Sequence, residues 1–314
     1  MTVLVTGANG FVGSALCERL CKDAVAVRGT VRSLMRQSGS VAKIPIGSIS
    51  AKTDWSLALT NVEQVIHLAA RVHVMTHKSA DPLAEFRRVN VEGAVNLARQ
   101  AAAAGVKRFV FLSSIKVNGE STEPGQPFRS EDTPRPQDPY GVSKYEAECG
   151  LRKIAEQTGM EVVIIRPPLV YGPGVKANFA SMMQIIQRGV PLPLASVTGN
   201  QRSLVALGNL VDLIVACIHH PGAANQTFMV SDDEDVSTAD LLRRMGIALK
   251  RPAKLFYVPK PLLQFGAVLL NKSEIYQRLC GSLQVDITKT KDLLNWKPPL
   301  SVDEGLRRFI KVKL

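Results

Sequence analysis

Tyr140-Gly-Val-Ser-Lys144 sets a phenol and an ammonium four residues apart, and on a helix positions i and i+4 share a face. A free tyrosine has a pKa near ~10 and is a poor acid–base group at neutral pH. A neighbouring ammonium favours the phenolate, so the pairing is expected to lower that pKa. A phenol tuned in this way can exchange a proton with a carbonyl or an alcohol while a hydride moves at the adjacent carbon. Lys144 can in addition hydrogen-bond a nicotinamide ribose. Ser113-Ser114, after the apolar run 108–112, offers a hydroxyl to orient the same oxygen.

A Y-x-x-x-K pair is common on protein surfaces. Here it is accompanied by the turn TGANGFVG, Thr6 to Gly13, straight after the apolar run Val3-Leu4-Val5. A strand, a glycine turn and a helix opening at Phe11 or Val12 make an anion site, because the free N–H groups and the dipole of the helix start favour a pyrophosphate. Gly7 permits the tight turn, Gly10 lets backbone approach phosphate, and Gly13 lets helix and strand pack closely. An acidic residue about 20 positions further on usually holds the ribose 2′-hydroxyl of NAD. Between Asp23 and Asp54 there is no Asp or Glu, and Arg28, Arg32 and Arg36 stand there instead. Arg32, 19 residues after Gly13, suits a 2′-phosphate through charge-assisted bonds. The expected cofactor is NADP(H), with NAD(H) possible.

These groups need a scaffold, and the chain alternates strand-like and helix-like segments. Strands are expected at 3–6, 25–31, 64–68, 108–112 and 162–165, and helices at 11–21, 81–104 and 140–158. That alternation predicts an α/β fold, a doubly wound parallel Rossmann sheet. The expected division is a dinucleotide-binding domain over 1–172 and a smaller C-terminal substrate-binding lobe over 173–314, part of which can return to the sheet. In that lobe 180–188 and 210–219 look helical. The apolar run Leu262–Leu270 reads as core packing, with contact to a membrane surface as the other reading.

The 314 residues, 46% of them hydrophobic, suffice for a sizeable core. No apolar run approaches the ~20 residues that span a bilayer. Met1 leads straight into a strand-like run without the basic start and cleavage site of a signal peptide, so the expected compartment is the cytoplasm. Five scattered cysteines without a C-x-x-C read as reduced packing residues. The net charge of +12 is dispersed and aromatics are only 5%. This fits an anionic small molecule better than nucleic acid.

The chain resembles the extended short-chain dehydrogenase/reductase superfamily in its nucleotide-sugar epimerase/dehydratase branch. The likeness rests on TGANGFVG, HLAA (67–70), RRVNVEG (87–93), FLSSIKVNG (111–119), YGVSK and RPPLVYGPG (166–174), in that order. It implies Ser114 as the catalytic hydroxyl beside Tyr140 and Lys144, and Asn90 as a brace for the strand ends. It sets Ala69 and Ala70 beside the cofactor's ribose and phosphate, and Pro167 and Pro168 at the nicotinamide. Asn118 replaces the tyrosine of the family's V-Y-G and is expected to alter the substrate pocket. Lys116 stands where a small residue is common. An aspartate that often touches adenine is replaced in Gly47-Ser48.

On the substrate side the resemblance implies a nucleoside diphosphate sugar, a UDP-sugar, with Asn178, Arg202 and more weakly Arg278 at the diphosphate. His73 is assigned a sugar contact. His73 and His77 are spaced i, i+4, but no local Cys or Glu completes a zinc site, so no metal is expected. The acidic run 232–235 reads as a solvated helix entry. A homodimer through the helices at 81–104 and 140–158 is implied.

HLAARVHVM, GSLQVD (281–286) and NWKPPLS (295–301) are most similar to bacterial UDP-4-keto-6-deoxy-hexosamine reductases. The leading expectation is therefore an NADPH-dependent 4-ketoreductase giving UDP-N-acetylquinovosamine or UDP-N-acetylfucosamine for surface polysaccharide. The second is a UDP-hexose 4-epimerase with tightly held NAD. A dehydratase is disfavoured, because Ile115-Lys116 supplies no acid–base pair. A non-catalytic dinucleotide-binding regulator is the remote alternative.

Overall fold

The computed structural model describes residues 1–33, 41–72, 81–123, 125–175 and 178–311. The chain opens with β1 (Thr2–Thr6), α1 (Phe11–Lys22), β2 (Ala26–Val31) and β3 (Ala42–Pro45). Then come α2 (Ser56–Leu59), β4 (Gln64–His67), α3 (Pro82–Phe86) and α4 (Gly93–Ala103). β5 (Arg108–Leu112), α5 (Pro139–Thr158), β6 (Glu161–Arg166) and β7 (Leu169–Tyr171) follow. After α6 (Asn178–Gln187), β8 (Arg202–Ala206) and α7 (Leu207–His219), the chain forms β9 (Thr227–Met229) and β10 (Asp235–Val236). It continues through α8 (Thr238–Ala248), α9 (Lys260–Leu269), α10 (Ser273–Cys280), α11 (Thr288–Leu294) and α12 (Val302–Lys311).

Seven parallel strands form the large sheet in the order β3-β2-β1-β4-β5-β6-β9. β1, β4, β5 and β6 are buried nearly end to end, as strands covered on both faces must be. One face packs on α1 and α7 through Leu16, Leu20, Leu210 and Ile214. The other packs on α4 and α5 through Leu97, Ala101, Ala147 and Leu151. This is the doubly wound α/β fold that the strand–helix alternation predicts. The strand order reverses between β1 and β4, and ligands of such sheets bind beyond the strand ends at that switch point.

A second sheet, β10-β8-β7, anchors a smaller core with α6, α8 and α12. α7 and β9 come from the C-terminal half yet complete the large sheet and its cover. β3 had no clear signal in the sequence.

The expected helix over 81–104 is interrupted: α3 and α4 are separated by a π-helical stretch, Arg87–Glu92. Such bulges often sit at functional sites, and this one carries Asn90. Leu262–Leu270 overturns the expectation of core packing. α9 contains no buried residue, and Leu262, Phe265 and Leu269 are 60%, 67% and 75% exposed. Periodicity distinguishes an apolar helix face, not what covers it.

Candidate active site

The glycine turn closes on itself. Gly7 adopts φ +67°, and a Cβ there would lie 3.1 Å from the Ala69 backbone. A Cβ on Gly13 would stand 2.2 Å from the Gly7 carbonyl oxygen. The Gly10 amide donates back to that carbonyl at 2.8 Å. α1 starts at Phe11 with no side-chain cap and no acidic residue in its first turn. The N–H groups of Phe11, Val12 and Gly13 precede the first intrahelical bond, so the cradle fits a pyrophosphate. Thr6 Oγ1 accepts from the Leu68 and Ala69 amides at 3.1 Å each, pinning the Ala69-Ala70 segment against the turn. Arg32 is exposed just beyond β2.

Tyr140 enters on the first turn of α5. Asp138 caps that helix, accepting from the Gly141 amide at 2.6 Å, and Pro139 supplies a pre-set first residue. Gly141 is required by a close approach: a Cβ there would be 2.7 Å from the Lys116 carbonyl oxygen. This brings α5 against the 3₁₀ turn Ile115–Val117, capped by Ser114. The Ser114 hydroxyl lies near enough to the Tyr140 phenol to favour its ionised form. Lys144, one turn on, is buried; its Nζ donates to the Leu112 carbonyl at 2.7 Å and lies 4.4 Å from the Phe111 ring centre.

The electrostatics correct one expectation. Burial, with the Asp138 carboxylate adding to it, pushes the Tyr140 phenol above its ordinary value, while the Ser114 hydroxyl pulls the other way. Burial also takes the Lys144 ammonium down to about 7, against an opposing contribution from Glu148. Among the chain's own groups, desolvation outweighs the charge attraction that the i, i+4 spacing suggests. Lys116 holds the Asp138 carboxylate, and Glu120 at 2.9 Å.

Beneath the triad lies a network that sequence reasoning missed. Ser113 Oγ donates to Glu148 Oε1 at 2.6 Å. Arg166 makes a two-pronged pair with Glu148, at 3.0 and 2.6 Å, and donates from Nη1 to Asn118 Oδ1 at 2.9 Å. Glu148 and Arg166 are 1% and 2% exposed. The available signal was Lys144-x-x-x-Glu148, which extends the tyrosine–lysine face by one turn. Ser113 is thus committed to Glu148, and Ser114 is the serine that meets Tyr140.

Asn90 is buried and ties two elements together. It accepts from the Arg71 amide at 2.8 Å and donates to Ser143 Oγ at 3.0 Å. The Pro167 carbonyl accepts from the Ile115 amide at 3.0 Å, holding that loop beside the serine turn.

The substrate-side expectations fare unevenly. Asn118 does not face a pocket: it is buried, accepting from Arg166 and donating to the Arg129 carbonyl at 2.9 Å. Both ends of its amide are used inside the protein, so its expected substrate contact is corrected to a structural one. Arg202 opens β8 and donates to the Gly281 carbonyl at 3.0 Å. Burial holds its guanidinium below its ordinary value, and no carboxylate among the described residues pairs with it. It is therefore a cation available to an anion. Arg278 is exposed and pairs with Glu274 on α10 at 3.3 Å. Asn178 is the first residue of α6. His73 and His77 lie outside the described residues. The acidic run is only partly solvated: Asp232 is buried, accepting from Tyr171, Asn209 and the Ala206 amide, and burial lifts it to about 6. Among the described residues no cluster of His, Cys, Asp and Glu could hold a metal ion.

A curated relative, named UDP-glucose 4-epimerase, from Vibrio cholerae, is 51% identical over 308 residues, 98% of this chain and 94% of its own length. Two solved structures share the fold. The UDP-glucose 4-epimerase of Thermotoga maritima, with UDP-glucose, superposes with a TM-score of 0.78 at 22% identity, over 100% of this chain and 98% of that one. The UDP-glucuronic acid 4-epimerase of Bacillus cereus, in complex with NAD, gives 0.79 at 20% identity, over 99% and 98%. Residues 3–231 match the NAD dependent epimerase/dehydratase family, and the chain belongs to that family as an enzyme of the NAD-dependent oxidoreductase type.

Proposed function

We propose that this protein is a 4-epimerase of a UDP-hexose or UDP-N-acetylhexosamine, working with a dinucleotide held on the glycine turn. The observation that carries this reading is the 51% identity to a protein named UDP-glucose 4-epimerase across 98% of the chain. The site's chemistry supports it. The phosphates would be held by Phe11, Val12 and Gly13, the ribose by Lys144, and the nicotinamide side would be bordered by Pro167. When bound, the dinucleotide supplies a reversible hydride acceptor and a positive charge near the phenol.

Tyr140 removes the proton from the sugar's 4-hydroxyl and later returns it to the same oxygen, while inversion at C4 would come from hydride return to the opposite face of that carbon. Ser114, beside the Tyr140 phenol, holds the same sugar oxygen in reach. Lys144 contributes charge beside the phenol, and Asp138 opposes it, so proton transfer needs the positive neighbours to be in place. Arg202 takes the substrate's diphosphate, offering a half-buried guanidinium that no carboxylate among the described residues neutralises. Asn178, at the first turn of α6, is assigned to the same diphosphate, and a homodimer through α4 and α5 completes the proposal.

The test is incubation of the purified protein with UDP-glucose and with UDP-N-acetylglucosamine, without added cofactor, and product identification by NMR. An epimerase gives the 4-epimers, consumes no NADPH and retains dinucleotide on purification. Arg32 favours a second reading, the NADPH-dependent 4-ketoreductase, since no carboxylate follows β2. Under that reading UDP-4-keto-6-deoxy-N-acetylglucosamine oxidises NADPH stoichiometrically. NADPH is then preferred over NADH by about ten- to a hundred-fold, the worth of one charge-assisted bond. Arg32→Ala would erase that preference and leave NADH kinetics unchanged.

A further inference from the structure

The densest run of exposed large apolar side chains among the described residues is far from the glycine turn in sequence. Of fifteen large apolar side chains exposed among the described residues, eight fall between positions 256 and 275. Phe256 and Tyr257 lead into α9, and Leu262, Phe265, Leu269 and Leu270 project from it or from its end, at 47–75% exposure. α9 and α10 pack on each other, and neither contains a buried residue. Their inner side rests on the small core through Leu263, Leu279 and Cys280. The outward side has no protein cover among the described residues.

Charge says what covers it. Residues 250–280 carry Lys250, Arg251, Lys254, Lys260, Lys272 and Arg278 against one acid, Glu274. All six cations are exposed. A second copy of this surface would bring like charges together. Helices that lie in a membrane interface instead combine apolar and aromatic residues with a cationic border. Exposed cations near an anionic bilayer gain from its surface potential. No helix among the described residues is long and apolar enough to cross a membrane, so the arrangement fits contact with the surface alone.

We propose that α9 and α10 form a docking surface for an anionic lipid bilayer. The inference stands independently of which sugar nucleotide the active site takes. The purified full chain is to be floated with vesicles of phosphatidylcholine alone and with equal parts phosphatidylcholine and phosphatidylglycerol. The protein should float with the anionic vesicles, remain behind with the neutral ones, and release as salt is raised. The double substitution Phe265→Asp and Leu269→Asp should reduce partitioning at least about tenfold, and Lys260→Glu with Lys272→Glu by about tenfold. Thermal midpoints should stay unchanged, because these side chains are exposed. Failure of the unaltered protein to float with anionic vesicles overturns the proposal. So does flotation of the Phe265→Asp, Leu269→Asp protein like the original. Sedimentation velocity provides the third arm: a self-associated species that this double substitution dissociates would show that a second copy covers the surface, and would equally overturn it.

Discussion

Around Tyr140 polar groups are buried and partnered; on α9 and α10 apolar groups are exposed and uncovered. Ser113, Glu148, Arg166, Asn118 and Asn90 all lie at 3% exposure or less, each with side-chain hydrogen bonds. Leu262, Phe265 and Leu269 lie at 60% or more. The difference shows where rigidity is concentrated. A proton-transfer site must keep its groups within hydrogen-bond reach, and buried ion pairs hold a geometry even where they add little net stability. A surface that meets a fluid partner needs area and charge, not fixed geometry.

The strongest way to break this contrast is at the phenol. Tyr140→Phe should lower kcat by about 10²–10⁴-fold, the usual worth of a positioned acid–base group, with dinucleotide binding intact by calorimetry. Near-normal turnover would remove Tyr140 from the chemistry. Next is the brace. Glu148→Ala leaves Arg166 charged and buried without its partner, and should cost about 3–5 kcal/mol in urea unfolding. A loss below about 1 kcal/mol would mean that the network is not holding the site.

A pH measurement sharpens the same side. Lys144 falls from 10.5 to about 7 in the folded protein. Between those values the unfolded chain binds the extra proton, so this residue makes stability rise with pH across the window. Its penalty is complete below about 7 and gone above about 10.5. The stability difference between the original protein and Lys144→Met should therefore slope by up to about 1.4 kcal/mol per pH unit there. A flat difference would show that Lys144 titrates normally. The smallest effect belongs to the other region: Leu269→Ser should change unfolding stability by no more than about 0.5 kcal/mol. A larger loss would show that α9 is covered by protein.

Spacing alone made the glycine turn, the Tyr140–Lys144 face and most strands legible, because each is a local pattern with a physical period. Glu148–Arg166 joins a helix to a strand 18 residues on, and no local rule links them. Asp232 sits in an acidic run that reads as solvated, and only tertiary packing reveals its burial. Asn118 looked like a pocket residue because its type departs from the family pattern; its partners, Arg166 and the Arg129 carbonyl, come from other segments. The apolar face of α9 was visible in the sequence, but its exposure was not.

β9 reaches the large sheet only after the chain has built β7, α6, β8 and α7. Sixty residues separate the end of β6 at Arg166 from the start of β9 at Thr227. At a synthesis rate of about 5–20 residues per second, β6 waits roughly 3–12 s on the ribosome for its neighbour. During that interval an apolar strand edge is open to other chains. The nascent protein is therefore expected to lean on a holding chaperone until residue 229 has emerged, and a chain cut between β6 and β9 should aggregate rather than yield a free nucleotide-binding half.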